Sequence, residues 1–248
     1  MTAQRAAART IDLSDGGRLH LSEAAEPRAV LLLGHGASGK IDGADLLALS
    51  AALPEEGITV VRHEQAWKVA GGPMRARPDQ LDPGWQVAVR HVAEHWRDVP
   101  LVVGGHSAGA RCACRGSANP DLPAQAAVLA LSFPLHPPGK PERSRVDELA
   151  GVPVPVTVVQ GERDPFGGPD ELVAALPPGW FDEQHRTLVR MEGAGHDLVP
   201  LKRVMSRADA MALVVLEALA LVPQVMASAG TALAHPHRLL AWNRGRVT

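Results

Sequence analysis

Tyrosine is absent from the 248 residues, so no phenol can serve as acid, base or oxyanion donor. Lysine is scarce too: 21 of the 25 basic residues are arginine, and the net charge is -2. No basic run is concentrated enough for the electrostatic footprint of a nucleic-acid binder. There are two cysteines, Cys112 and Cys114. Their i, i+2 spacing makes neither a disulfide staple nor a metal site by itself, so the chain reads as a reduced, cytoplasmic protein. The longest apolar segment, residues 208–222, is interrupted by Asp209 and Glu217 and is too short to span a bilayer. The N-terminal residues lack the apolar stretch of a signal peptide.

Short apolar runs are present and alternate with longer helix-like segments. The runs are 29–33, 58–61, 101–103, 127–131, 154–159 and 187–190. Several are continuous Val, Ile or Leu stretches, as expected for strands of a mostly parallel sheet buried on both faces. An N-terminal hairpin is expected over 10–21, turning at Asp15-Gly16-Gly17. Helices are expected over 45–53, 83–96, 108–117, 169–176 and 206–221, the last capped by Ser206. The Pro-rich stretch 133–145 reads as an ordered loop. One domain is expected over 1–225, with 226–248 a tail or a last short helix.

The chemistry concentrates where apolar runs end. Gly105-His106-Ser107-Ala108-Gly109 is a G-x-S-x-G pentapeptide directly after Leu101-Val102-Val103 and directly before a small-residue helix. By itself, the pentapeptide equally suits a Gly-rich turn with Ser107 as a helix cap. In a strand-turn-helix context it places a nucleophilic serine on a sharp, strained turn. Such a hydroxyl needs a base, and the base needs an orienting acid. Asp164 follows the fifth run in Gln160-Gly161-Glu162-Arg163-Asp164-Pro165, with Glu162 the other acid in that turn. Asp164 also suits a simple Asp-Pro turn. His196 follows the sixth run in Gly193-Ala194-Gly195-His196. Its nearest competitor, His185, precedes that run and belongs at the opposite end of the sheet. Ser107, Asp164 and His196 are therefore the expected catalytic residues.

The first run ends in Gly34-His35-Gly36-Ala37-Ser38-Gly39-Lys40. Lys40 is followed by Ile41, and the spacing of a phosphate-binding loop is missing. The backbone N–H groups of Ala37 and Ala108 are the expected oxyanion donors. His35, His106, Trp67 and His136 are possible pocket residues, with a structural role equally open for Trp67 and favoured for His136. For Lys140, structure is also favoured over anion binding. Arg75 and Arg77 read as a surface pair, and Arg111 as the partner of an internal acid. Cys112 and Cys114 are expected to pack behind the turn.

Leu33–Ser38, Gly104–Arg111, Phe133–Glu142, Gln160–Gly167 and Gly193–Leu198 together resemble the α/β-hydrolase superfamily. More narrowly they resemble the dienelactone-hydrolase-like group that includes testis-expressed protein 30 and the third subunit of the NSL histone acetyltransferase complex. The segment Leu135–Pro141 is the most group-specific element. His106 stands where relatives tend to have Arg, and Ser107 where true dienelactone hydrolases have Cys. The resemblance implies a three-layer α/β/α sandwich. The connection 132–154 leaves room for a small lid at most. It also implies serine hydrolase chemistry on a small-molecule ester, without metal or organic cofactor. Thioester, peptide or carbon–carbon cleavage would use the same triad, and a non-catalytic scaffold remains the reading from another class.

Overall fold

The computed structural model describes residues 9–73, 77–181 and 185–228. Eight strands form one sheet: β1 (Arg9–Asp12), β2 (Arg18–Ser22), β3 (Ala29–Gly34), β4 (Ile58–Glu64), β5 (Leu101–His106), β6 (Ala127–Leu131), β7 (Val156–Gly161) and β8 (Arg186–Met191). Their spatial order is β1-β2-β4-β3-β5-β6-β7-β8. The β1–β2 hairpin and the β2–β4 pair are antiparallel, and every other pairing is parallel. The helices are α1 (Ala44–Ala52), α2 (Ala66–Val69), α3 (Pro78–His95), α4 (Ala108–Ser117), α5 (Val146–Ala150), α6 (Pro169–Ala175) and α7 (Arg207–Ser228).

Strand periodicity explains the layering. Val30 and Leu32 point to one face with α3 and α4, while Ala29, Leu31 and Leu33 point to the other with α1 and α7. All of β3, β6 and β7 is buried, which is why β3 and β6 are continuously apolar instead of alternating and β7 is apolar apart from Thr157 and Gln160. On α3, Trp85, Ala88, Val89 and Val92 are almost fully buried at helical spacing. The result is a three-layer α/β/α sandwich.

Several boundaries differ from the sequence expectation. Helix α3 begins at Pro78, not Pro83, because Pro78 occupies the first turn, where no backbone donor is needed. Pro83 lies inside the helix, which forgoes one hydrogen bond there. Helix α1 does not simply stop before Pro54; it runs into a 3-10 turn, Leu53–Glu56, closed by left-handed Gly57. Helix α7 passes Leu221 and continues through Pro223 to Ser228. The Ser206 hydroxyl accepts the Asp209 N–H at 3.1 Å, a capping contact at its start. Residues 229–248 of the expected tail, and Arg75, lie outside the described residues.

The strand order reverses between β3 and β5: β4 lies on the outer side of β3, and β5, β6, β7 and β8 follow on the inner side. In open parallel sheets a crevice opens at the carboxyl ends of the strands at such a point. The β6–β7 crossover above this crevice carries only the five-residue α5 and no lid.

Candidate active site

Ser107 sits between β5 and α4 with φ 55° and ψ -110°. This is a sparsely populated conformation for a residue with a side chain, and strain of this kind collects at functional sites. It is held by the chain on both sides: the Ser107 N–H donates to the Leu131 carbonyl at 2.9 Å, and its carbonyl accepts the Arg111 N–H at 3.2 Å. Close packing of β3 against α4 makes the turn possible. A methyl group on Gly109 would lie 2.2 Å from the Gly34 carbonyl oxygen, and one on Gly105 would lie 2.4 Å from the same atom. Only glycine allows this approach.

Asp164 and His196 come to Ser107 from the turns after β7 and β8. The Ser107 hydroxyl lies 2.8 Å from His196 Nε2, and His196 Nδ1 lies 2.8 Å from Asp164 Oδ2. An ionised carboxylate only accepts, so Nδ1 carries the proton, and Nε2 of the neutral ring is left to accept from Ser107. Asp164 is itself fixed: Oδ1 accepts the Phe166 N–H at 2.9 Å, and Oδ2 accepts from Gln160 Nε2 at 3.1 Å. Its side chain is fully buried. Phe166 packs against the imidazole with ring centres 4.3 Å apart. Glu162, the other acid, turns away: its Oε2 accepts the Gly193 N–H at 2.9 Å and ties the two turns together. His185 precedes β8, at the far end of the sheet.

Ala108 begins α4, and an N–H in the first turn of a helix has no intrahelical carbonyl to meet. The loop carrying Ala37 lies beside Ser107, since a methyl on Gly36 would come within 3.6 Å of Ser107 Cβ. His35 anchors that loop from inside. It is 5% exposed; its Nδ1–H donates to the Gly36 carbonyl at 2.7 Å, and its Nε2 accepts the Gln65 N–H at 3.2 Å. Burial lowers its pKa. With both nitrogens engaged, the ring shapes the loop and has no donor or acceptor left for a ligand. Trp67 stands edge-on to His35 at 5.6 Å. It lines a separate cavity of about 280 Å³ with Asp15, Gln65 and Gln80.

His136 is likewise committed to structure. Its Nδ1 faces the Pro137 carbonyl at 2.9 Å and its Nε2 faces the Glu171 carboxylate at 3.0 Å. Two acceptors require two ring protons, and the Pro137 carbonyl together with Glu171 raises the His136 pKa. Lys140 is exposed. Arg77 pairs with Asp79 on the surface. Arg111 meets Glu148 through two bonds of 2.8 and 2.6 Å, and Arg115 joins the same carboxylate and Asp82. Cys112 and Cys114 are free and buried behind the turn, and burial pushes the Cys112 thiol up to about 12. Among the described residues no cluster of three or more His, Cys, Asp or Glu side chains is placed to hold a metal ion, and no helix is long and apolar enough to cross a membrane.

Two features of the site escaped sequence reasoning. One is Gln160, whose side-chain amide donates to Asp164 and to the Gly167 carbonyl, the latter at 2.7 Å. The signal was available: a glutamine in an otherwise apolar buried strand needs partners. The other is Asp45, which is 2% exposed in the first turn of α1. Its Oδ2 accepts from His106 Nδ1 at 2.8 Å, and its Oδ1 accepts the Leu46 N–H at 2.8 Å. Burial alone would lower the His106 pKa, but the bond to Asp45 and its charge prevail and raise it. The His106 ring stands edge-on to His196 with centres 5.2 Å apart.

Comparison with known proteins agrees with this architecture. No curated protein sequence matches the chain. Among solved structures, a serine hydrolase without a lid from Xanthomonas campestris superposes with a TM-score of 0.64 at 19% identity, over 88% of this chain and 95% of that one. An α/β serine hydrolase homologue from Coxiella burnetii gives 0.63 at 18%, over 88% and 99%. A thermophilic esterase from Thermogutta terrifontis gives 0.61 at 17%, over 93% and 95%. At these identities the likeness is one of fold. The sequence profile of the alpha/beta hydrolase domain matches residues 27–222, from the start of the central sheet to the last helix, and the chain belongs to the alpha/beta hydrolase family.

Proposed function

We propose that the protein is a serine hydrolase that cleaves small acyl esters through an acyl-enzyme. One observation carries this reading: the continuous hydrogen-bonded path from the strained Ser107 through His196 to the buried Asp164. Ser107 Oγ attacks the ester carbonyl while His196 Nε2 takes the hydroxyl proton. The tetrahedral oxyanion lies against the N–H groups of Ala108 and Ala37. As the C–O bond to the alcohol breaks, His196 returns that proton to the departing oxygen. Water then attacks the acyl-enzyme, giving one proton to His196, and the carboxylic acid leaves as Ser107 recovers its hydrogen. Asp164 keeps Nδ1 protonated throughout and stabilises the imidazolium.

The open crossover between β6 and β7 favours small or flexible esters over a substrate enclosed by a lid. The group resemblance of Leu135–Pro141 fits a dienelactone-hydrolase-like relative that uses serine in place of cysteine. The free, buried cysteines suit a reducing cytoplasm. The test is labelling with a fluorophosphonate, with the adduct located by mass spectrometry. A single adduct on Ser107, lost in Ser107→Ala, supports the reading. A folded protein that takes up no label overturns it, and a scaffold role then stands in its place.

A further inference from the structure

A cavity of about 300 Å³ opens on the α1 side of Ser107. Its wall includes Gly36 and Lys40 from the loop after β3, Asp45 from α1, His106, Asp197 just past His196, and Arg207 at the start of α7. Gly36 and His106 also flank Ser107, so the cavity adjoins the side chain that the proposed mechanism uses as its nucleophile.

The charges on this wall are uneven. Asp45 is buried and fully used by His106 and the Leu46 N–H. His106, in turn, is held with its Nδ1–H on Asp45, so its other nitrogen faces the side of the ring away from α1. Lys40 and Arg207 are exposed at the rim, and among the described residues neither forms an ion pair. Two carboxylates share the wall: Asp45, engaged as above, and Asp197, whose Oδ1 already accepts the Val199 N–H at 3.1 Å. Two cations of different reach, neither in an ion pair among the described residues, thus border a cavity next to Ser107 whose two carboxylates already accept N–H groups; Lys40 also borders a second cavity with Asp42 and Glu64. Lysine supplies a mobile point charge and arginine a planar fork suited to a carboxylate.

We infer that this cavity is a subsite for a carboxylate carried by the substrate, so that the preferred esters are anionic ones held by Lys40 and Arg207 with their scissile carbonyl at Ser107. The inference rests on the serine hydrolase reading above. It names a substrate class, and it makes the loop after β3 serve twice: its backbone at Ala37 faces the oxyanion, and its Lys40 faces the substrate's charge.

The experiment compares two matched pairs of esters. Mono-4-nitrophenyl glutarate against 4-nitrophenyl pentanoate puts the carboxylate on the acyl side; 4-acetoxybenzoate against phenyl acetate puts it on the alcohol side. An exposed ion pair contributes about two- to fivefold, so two cations predict roughly a tenfold preference in kcat/KM for the anionic member of one pair. That ratio should fall several-fold in Lys40→Met and in Arg207→Met, and it should shrink as salt rises from about 0.01 to 0.5 M, where the Debye length drops from roughly 30 Å to under 5 Å. Both side chains are exposed, so neither change threatens folding. Neutral and anionic esters cleaved with equal efficiency in both pairs, or a preference that neither substitution moves, would overturn the subsite and leave the hydrolase standing. A chain with no reactive Ser107 would overturn both.

Discussion

Replacing Asp164 by asparagine isolates one hydrogen bond. The two side chains are nearly the same size, so the buried site keeps its shape. What changes is the polarity of one edge. In the native arrangement Asp164 presents acceptors only: Oδ1 to the Phe166 N–H and Oδ2 to His196 Nδ1 and Gln160 Nε2. All three partners are donors. An amide cannot accept at both ends. With its oxygen toward Phe166, its NH2 faces Gln160 Nε2 and His196 Nδ1. The imidazole must then turn its lone pair to Nδ1 and carry its proton on Nε2. That proton points at Ser107 Oγ, 2.8 Å away in the native site, and the ring can no longer accept from it. With the amide flipped, the NH2 opposes the buried Phe166 N–H instead, at the cost of an unsatisfied donor. Acid-to-amide replacement in a triad of this kind lowers kcat by about 10³–10⁴, or roughly 4–5.5 kcal/mol in the barrier. The assay is 4-nitrophenyl acetate hydrolysis at pH 8 together with the rate of fluorophosphonate labelling, with circular dichroism confirming the fold. A folded variant within tenfold of the native kcat would refute the assigned role of Asp164.

Two further substitutions test the scaffold behind the site. Gly109→Ala puts a methyl 2.2 Å from the Gly34 carbonyl oxygen and 2.8 Å from its Cα, backbone against backbone, so no side-chain rotation relieves it. A cost of about 3 kcal/mol is expected. For a chain of this size it should lower the melting midpoint by roughly 6–12 °C in calorimetry, with loss of Ser107 labelling; an unchanged midpoint contradicts the close packing of β3 on α4. His63 is fully buried, and neither ring nitrogen has a hydrogen-bond partner. Burial, with a smaller contribution from His35, lowers its pKa to about 3. The unfolded chain takes up this proton below about pH 6.5 while the folded chain stays neutral, so stability is full above that pH and falls as the pH drops toward 3. Between pH 7 and 5 this one residue should remove about 2 kcal/mol of stability. In guanidinium titrations at the two pH values, His63→Phe should lose about that much less than the native chain, and parallel losses would show that His63 titrates normally.

The runs of Val, Leu and Ile determined the sheet by local rules. Each marks a strand buried on both faces, and a helix pattern between successive strands leaves a parallel sheet as the economical solution. The strand-turn-helix context around Ser107 is local as well, which is why α4 is found at Ala108–Ser117 as the sequence suggested. Boundaries at prolines were read less well, because Pro78 and Pro83 look alike in sequence while only one stands at a helix start.

Partnership is another matter. Order along the chain indicated that Ser107, Asp164 and His196 each follow a strand, yet His196 meets Ser107 across 89 residues and Asp164 across 32. The carboxyl ends of parallel strands share one edge of the sheet, and that topological fact converts sequence order into proximity. Nothing comparable announces that His106 meets Asp45 across 61 residues, that Gln160 braces Asp164, or that His35 and His136 turn their nitrogens inward to carbonyls and carboxylates. Hydrophobic periodicity reports which face of an element is buried, a one-dimensional property of the chain. A polar side chain's partner depends on which loop crosses it in three dimensions, so the tertiary structure alone decided which histidines are braces and which one faces the serine.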